Sequence, residues 1–214
     1  MITNEFVPIA KAYIDPGTGS AIIAILLGLI SAIIYGIKGL LVKITSGIFV
    51  NKERKEEHIP IAIYTDSKRY WNTFKPICDE FEKRETNIKY LTQSRDDPVF
   101  DEKYRYIMPE FIGEKNEGIT KMNHLNADIV LTTTPSLNVY QWKRSKNVKW
   151  YVHIMHACND LILYRMFGVD YYDAVLVNGQ FQINDIRKLE KLRNLPEKEC
   201  NVVGLVYFDN IKKR

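Results

Sequence analysis

Val148–Gly179 reads VKWYVHIMHACNDLILYRMFGVDYYDAVLVNG, and this stretch decides the fold. Trp150–Met155 and Ala174–Val177 are short apolar runs with the look of buried strands. Between them lie a polar break, His156–Asp160, and a short apolar segment, Leu161–Phe167, read as a helical turn. Strand, polar turn, helix and strand make one β-α-β unit. In open α/β sheets the ligand crevice lies outside the carboxyl ends of the strands. His156 falls at that end of the first strand, so any chemistry is expected near it.

Working outward, the same alternation runs from residue 58 onward. Ile59–Thr65 is expected as the first strand. Ser67–Arg84 follows as an amphipathic helix, with Tyr70, Trp71, Phe74, Ile77, Cys78 and Phe81 at helical spacing. Asn87–Thr92, Ala127–Thr132, Val148–Met155, Ala174–Val177 and Asn201–Leu205 complete the expected strands. Lys115–Asn126 and Gln180–Asn194 are the remaining expected helices. Asp96–Gly113 fits neither period and is read as a broken segment packing aromatics on the sheet. Strands separated by helices predict a Rossmann-like α/β fold, a parallel sheet with helices on both faces.

The chain has 214 residues, a formal charge of +4, 46% apolar and 26% charged residues, ordinary values for a globular protein. Its mean hydropathy of −0.23 averages two unlike parts. Residues 1–20 form a lead closed by the turn Pro16-Gly17-Thr18-Gly19-Ser20. Residues 21–42 are predominantly apolar and carry one charge, Lys38, and ~20 residues of helix match a bilayer core. A transmembrane helix is favoured over a signal peptide, which needs a basic start where this chain has Glu5, a lone Lys11 and Asp15, and over a buried core helix. Lys38, Lys43, Lys52, Arg54 and Lys55 follow the apolar stretch. The positive-inside rule therefore predicts a single-pass cell-membrane protein, N-terminus outside and main domain cytoplasmic. Residues 43–57 are a charged linker near lipid headgroups, and 58–214 are the main domain. Cys78, Cys158 and Cys200 form no Cys-x-x-Cys pair, which argues against a disulfide framework or zinc site. The weak, diffuse basic balance argues against nucleic acid.

No Gly-x-Gly-x-x-Gly, P-loop, nucleophile elbow or metal-ligand cluster occurs, and no cofactor or metal is expected. The polar strand exits remain. An imidazole at His156 can deprotonate a hydroxyl, or serve structurally by bonding a backbone carbonyl. His153, three residues before, is expected to pack. Asp66-Ser67-Lys68-Arg69 opens a helix and suits either an anion or a simple cap, the cap being favoured. Thr132-Thr133-Thr134-Pro135-Ser136 suits a phosphate or polyol, or ordinary turn chemistry. Lys143-Arg144-Ser145-Lys146 suits a phosphate, a lipid surface or a solvated turn. Tyr171-Tyr172-Asp173 packs the next strand, with Asp173 an orienting carboxylate.

IAIYTDSKRYWNTFKPICDEF, ADIVLTTTP, VKWYVHIMHACND and GVDYYDAVLVNGQFQINDIRKLE, in that order, resemble the N-terminal half of the CDP-glycerol glycerophosphotransferase family, enzymes similar to teichoic-acid polymerases. The resemblance covers about 59–210 and implies one half of a GT-B fold. It implies transfer of glycerol phosphate from CDP-glycerol to a hydroxyl of a cell-envelope acceptor. His156 matches the histidine of the family's His-Gly-Thr-Pro-type motif and would be the base; here Ala157-Cys158-Asn159 stands in place of Gly-Thr-Pro. Asp66, Ser67, Thr134 and Asn159 are the candidate contacts to a polyol-phosphate or glycan acceptor. The family's donor site and second histidine belong to a second half, so this chain alone is not expected to turn over CDP-glycerol. A separate donor-binding half, or self-association, would complete it. Two other readings stand beside this one: a non-catalytic membrane-bound binding or scaffolding module, and a GT-B glycosyltransferase with a nucleotide-sugar donor.

Overall fold

The computed structural model describes residues 24–39 and 58–205. The chain divides into two compact units, 1–53 and 54–214. In the first, residues 24–39 form a helix, α1. Its apolar side chains, from Ile25 and Leu26 through Ile34 and Ile37, are exposed all round. Among the described residues no helix is long and apolar enough to cross a membrane. The outer parts of the expected span, the lead at 1–20, the linker at 43–57 and residues 206–214 lie outside the described residues.

The second unit is built on seven parallel strands: β1 (Ile59–Thr65), β2 (Ile88–Thr92), β3 (Ile107–Phe111), β4 (Ala127–Thr132), β5 (Val148–Ile154), β6 (Ala174–Val177) and β7 (Glu199–Val202). Their order across the sheet is β3-β2-β1-β4-β5-β6-β7, all pairs parallel. This is the Rossmann-like α/β sheet that the alternation predicts. The order reverses between β1 and β4, which is where such sheets open a crevice.

Strand alternation sorts the core into two layers. Ile63 on β1 joins Ile88, Tyr90, Ile107 and Ile154 under α2 (Trp71–Lys83), which contributes Trp71, Phe74 and Cys78. Ala62 and Tyr64 face the other layer, with Val130, Tyr151, Val175 and Val177. Helices α3 (Asn116–Asn123) and α4 (Gln180–Arg193) cover that side through Met122 and Ile186. Phe74 is wholly buried, and its truncation to alanine would cost about 3–5 kcal/mol. On the α2 side, Trp150 of β5 remains 46% exposed.

Four expectations need correction. Asp96–Gly113 contains a strand, β3, preceded by a 3-10 turn at Pro98–Asp101. An edge strand tolerates Pro109, which cannot donate to a ladder on both sides. The last strand runs Glu199–Val202 rather than Asn201–Leu205. The expected helix from Ser67 begins with a 3-10 turn, Lys68–Tyr70, before α2. Leu161–Phe167 is not a helix: only Leu161–Leu163 turn, as 3-10, and Tyr164 is extended. Gly168 N–H closes back on Arg165 O at 2.8 Å, with Phe167 left-handed at φ 62°. A Cβ at Gly168 would lie 2.9 Å from both Arg165 O and the Tyr164 ring, so only glycine fits this close approach.

Candidate functional site

Three strands end in the same way. Thr65, Thr92 and Thr132 are buried last residues of β1, β2 and β4. Each hydroxyl accepts a backbone N–H two residues on, from Ser67 (3.3 Å), Ser94 (3.1 Å) and Thr134 (3.0 Å). These hydroxyl-closed turns fix the exits that face the crevice. The β4 exit is pinned twice more, by Ser136 N–H donating to Gly168 O at 2.8 Å and by the Tyr172 hydroxyl donating to Thr134 O.

The exit of β1 carries Asp66, that of β4 carries Thr133 and Thr134, that of β5 carries His156, and that of β6 carries Asn178. Asp66 Oδ1, Thr133 Oγ1, Thr134 Oγ1, His156 Nδ1, Asn159 Oδ1 and Asn178 Oδ1 are all buried with no hydrogen-bond partner. Buried polar atoms are overwhelmingly paired, so six orphans along one rim of the sheet mark it as a place built to meet polar groups.

The 3-10 turn at Lys68–Tyr70 brings Tyr70 against His156. Their ring centres are 4.8 Å apart, edge to face. The Arg69 guanidinium lies over the same Tyr70 ring, 4.8 Å from its centre. Lys68 turns away and pairs with Asp96. Burial pushes the His156 imidazole below the usual histidine range; the Arg69 charge pushes it further and the Asp66 carboxylate pulls back. His156 is therefore a neutral base at neutral pH, with Nδ1 unpaired. Burial raises the Asp66 carboxyl above the usual range, opposed by the Arg69 charge, its own backbone N–H, the Thr134 hydroxyl and His156.

The segment after His156 is tied down from the β6 exit and from α4. Asn178 Nδ2 donates to Ala157 O at 2.7 Å, and Gln182 Nε2 donates to Asn159 O at 2.9 Å. Gln182 Oε1 accepts from Asn178 N–H at 2.8 Å. Gln182 is the third residue of α4, a position whose side chain commonly reaches back over a helix start.

The five candidate residues thus sort by place. Asp66 lies close enough to both Thr134 and His156 to interact with each. Asn159 stands three residues beyond His156, half-buried, with its side-chain oxygen unpaired. Ser67 caps the 3-10 turn, accepting from Arg69 N–H. Arg69, Tyr70, Asn178 and Gln182 belong to the same rim, although only Arg69 figured in a candidate motif. His153 is wholly buried, bonded through Nε2 to the Tyr164 hydroxyl at 2.9 Å; it packs, as its register predicts. Arg144 is not a free cation, since it clasps both oxygens of Asp173 at 3.1 and 2.9 Å. Asp173 also accepts from Tyr151 N–H, so it orients backbone rather than a catalytic group. Among the described residues no cluster of three His, Cys, Asp or Glu is set to hold a metal.

Comparison with protein-family models, curated proteins and solved structures found no match for this chain.

Proposed function

We propose that this chain is the acceptor-side half of a membrane-anchored, glycerophosphotransferase-like enzyme. The observation that carries the reading is a neutral His156 with Nδ1 unpaired, within electrostatic reach of an Asp66 carboxyl whose Oδ1 is unpaired, on the rim beside the β1/β4 reversal. A hydroxyl in that crevice would donate its proton to His156 Nδ1. Its oxygen would attack the glycerol-bearing phosphorus of CDP-glycerol. The new oxygen–phosphorus bond forms as the bond to the bridging oxygen breaks, and CMP leaves with that oxygen. The proton stays on His156 until solvent removes it. Asp66 would stabilise the imidazolium, and Thr134 and Asn159 would bond further acceptor hydroxyls. CDP-glycerol enters through the resemblance, and its site through a second, donor-binding half. A GT-B glycosyltransferase would use the same base with a nucleotide sugar.

The exposed, all-round apolar surface of α1 supports an anchor, because such a helix needs an apolar surrounding. With its apolar flanks at 21–23 and 40–42 it would reach the ~20 residues that span a bilayer. The positively charged residues after it would then keep the sheet domain on the cytoplasmic side.

One observation favours a binding module without turnover. Where the resembling family has glycine after the histidine, Ala157 and Asn159 have carbonyls spent on Asn178 and Gln182. The deciding experiment is transfer from labelled CDP-glycerol by membranes containing the chain, with a nucleotide-sugar arm, before and after His156→Ala. Transfer lost in the variant supports the enzyme. No transfer from the unmodified chain, with and without added donor-half candidates, leaves the binding module.

A further inference from the structure

The two edges of the sheet are finished differently. Among the described residues no strand lies outside β3 or β7. A parallel ladder takes both backbone groups of every second residue, and the residues between turn theirs outward. On β3, Ile88 N–H donates to Tyr106 O and Ile112 N–H to Thr92 O. Met108 and Glu110 therefore serve β2, while Ile107, Pro109 and Phe111 face out. The middle outward position is a proline, which has no N–H to offer, so a further strand cannot pair there. On β7, Glu199 N–H donates to Asp173 O at 3.1 Å and Val203 N–H to Val177 O at 2.9 Å. Glu199, Asn201 and Val203 therefore serve β6, and Cys200 and Val202 each turn an N–H and a C=O outward. β7 carries no proline and no lysine, and Val202 and Val203 are 54% and 50% exposed. This edge is open to another strand.

We propose that β7 pairs with the β7 edge of a second copy, antiparallel about a two-fold axis through Asn201. The strand is self-complementary in that register. Cys200 pairs with the partner's Val202, and Val202 with the partner's Cys200, each pair exchanging two N–H···O bonds. All the outward backbone groups of the strand are then used. Asn201 meets the partner's Asn201 as a non-hydrogen-bonded pair, with Cα atoms about 4.5 Å apart. An asparagine side chain carries both donor and acceptor, so it can bond its own copy, as a two-fold contact requires. Glu199 falls opposite the partner's Val203. The two Glu199 residues then stand about 14 Å apart, beyond the screening length of about 8–10 Å, so like charges do not oppose the pairing. A four-residue strand makes a small contact, and the dimer is expected to be reversible and concentration-dependent. It uses no residue of the rim, so the dimer and the proposed chemistry stand or fall separately.

The test is disulfide cross-linking of the full chain in membranes, in a Cys158→Ser background that removes the exposed thiol. That background alone should not cross-link, since Cys200 would face the partner's Val202. Asn201→Cys should give a covalent dimer under mild copper-phenanthroline oxidation, because Cα atoms about 4.5 Å apart lie within the disulfide range of roughly 4.4–6.8 Å. Glu199→Cys should not cross-link by itself, but should do so when co-expressed with Val203→Cys. Val202→Pro removes an outward N–H and no bond to β6. Added to Asn201→Cys, it should cut the cross-linked fraction about tenfold or more, with the far-ultraviolet circular dichroism unchanged. In the purified full chain, the Cys200 and Val202 amides should gain protection from hydrogen exchange as protein concentration rises. Protection already complete at the lowest concentration would give the edge to another segment of the same chain and overturn the proposal. Failure of Asn201→Cys to cross-link, cross-linking that ignores Val202→Pro, or equal cross-linking by Glu199→Cys alone would each overturn it too.

Discussion

Gln182→Ala tests whether the His156 loop is held from α4. Gln182 is wholly buried. Its side chain serves three backbone groups, the N–H of Asn178 at 2.8 Å, the carbonyl of Asn159 at 2.9 Å and, more weakly, that of Ala157 at 3.5 Å. Ala157 O keeps its shorter bond from Asn178 Nδ2. Alanine therefore strands two half-buried backbone groups, toward the lower part of ~1–3 kcal/mol each. A loss of roughly 2–4 kcal/mol is expected. For a domain of this size each 1 kcal/mol shifts the midpoint by about 2–4 °C, so thermal melts followed by near-ultraviolet circular dichroism should fall by ~4–16 °C. Gln182→Glu separates the two bonds, because it keeps the acceptor for Asn178 N–H and loses the donor to Asn159 O. It should lie at or near the alanine value, since it sets a carboxylate against a carbonyl. A drop smaller than about 2 °C in the alanine variant would refute the claim that these bonds hold the loop.

Other outcomes follow from the same coordinates. The His156 imidazole should titrate below the ~6.5 of a free histidine, read from its proton resonance; Arg69→Gln should raise the midpoint and Asp66→Asn lower it, and a wild-type midpoint at or above 6.5 would contradict the burial and charge argument. His153 is pushed down to about 3 by burial. The unfolded chain therefore binds a proton that the folded one refuses, and the stability this confers is complete above ~6.5 and drains away toward about 3 at up to ~1.4 kcal/mol per pH unit. His153→Phe should flatten that slope in urea melts between pH 6.5 and 4, and an unchanged slope would remove the claim. Gly118→Ala lies in α3, where alanine normally stabilises by ~1 kcal/mol; here the new Cβ would meet Gly113 O at 2.7 Å, so a net loss of about 1–3 kcal/mol is expected and a gain would disprove the crowding.

The sheet was legible where strands are long, apolar and central. β1, β4 and β6 carry the bounds read from sequence, because a strand buried on both faces is a continuous apolar run. β3 escaped because it lies at the edge and contains Pro109 and Glu110, so neither period nor apolarity marks it. The 161–167 segment has helix-forming residues, but Tyr164 is drawn to His153 by a hydrogen bond that no local pattern encodes. At the site, strand-exit logic placed Asp66, Thr134 and His156 on one rim. It missed Tyr70, whose direction depends on a 3-10 rather than an α-helical first turn. Asn178 and Gln182 had a signal in hindsight, an asparagine at a strand exit and a glutamine three residues into a helix. The threonine two residues before a serine or threonine at three strand ends was equally visible.

Trp150 gives the protein a reporter of its own. The chain has three tryptophans. Trp71 and Trp142 are 7% and 5% exposed and stand edge-on to tyrosine rings, Trp150 alone being open at 46%. Acrylamide or iodide quenching would therefore sample essentially one indole, and the red side of the emission band would belong to it. Anything that settles on that face of β5 would shift the band to the blue and blunt the quenching. An encounter with a partner protein, a second copy or a lipid surface could be followed by light alone, with no dye attached.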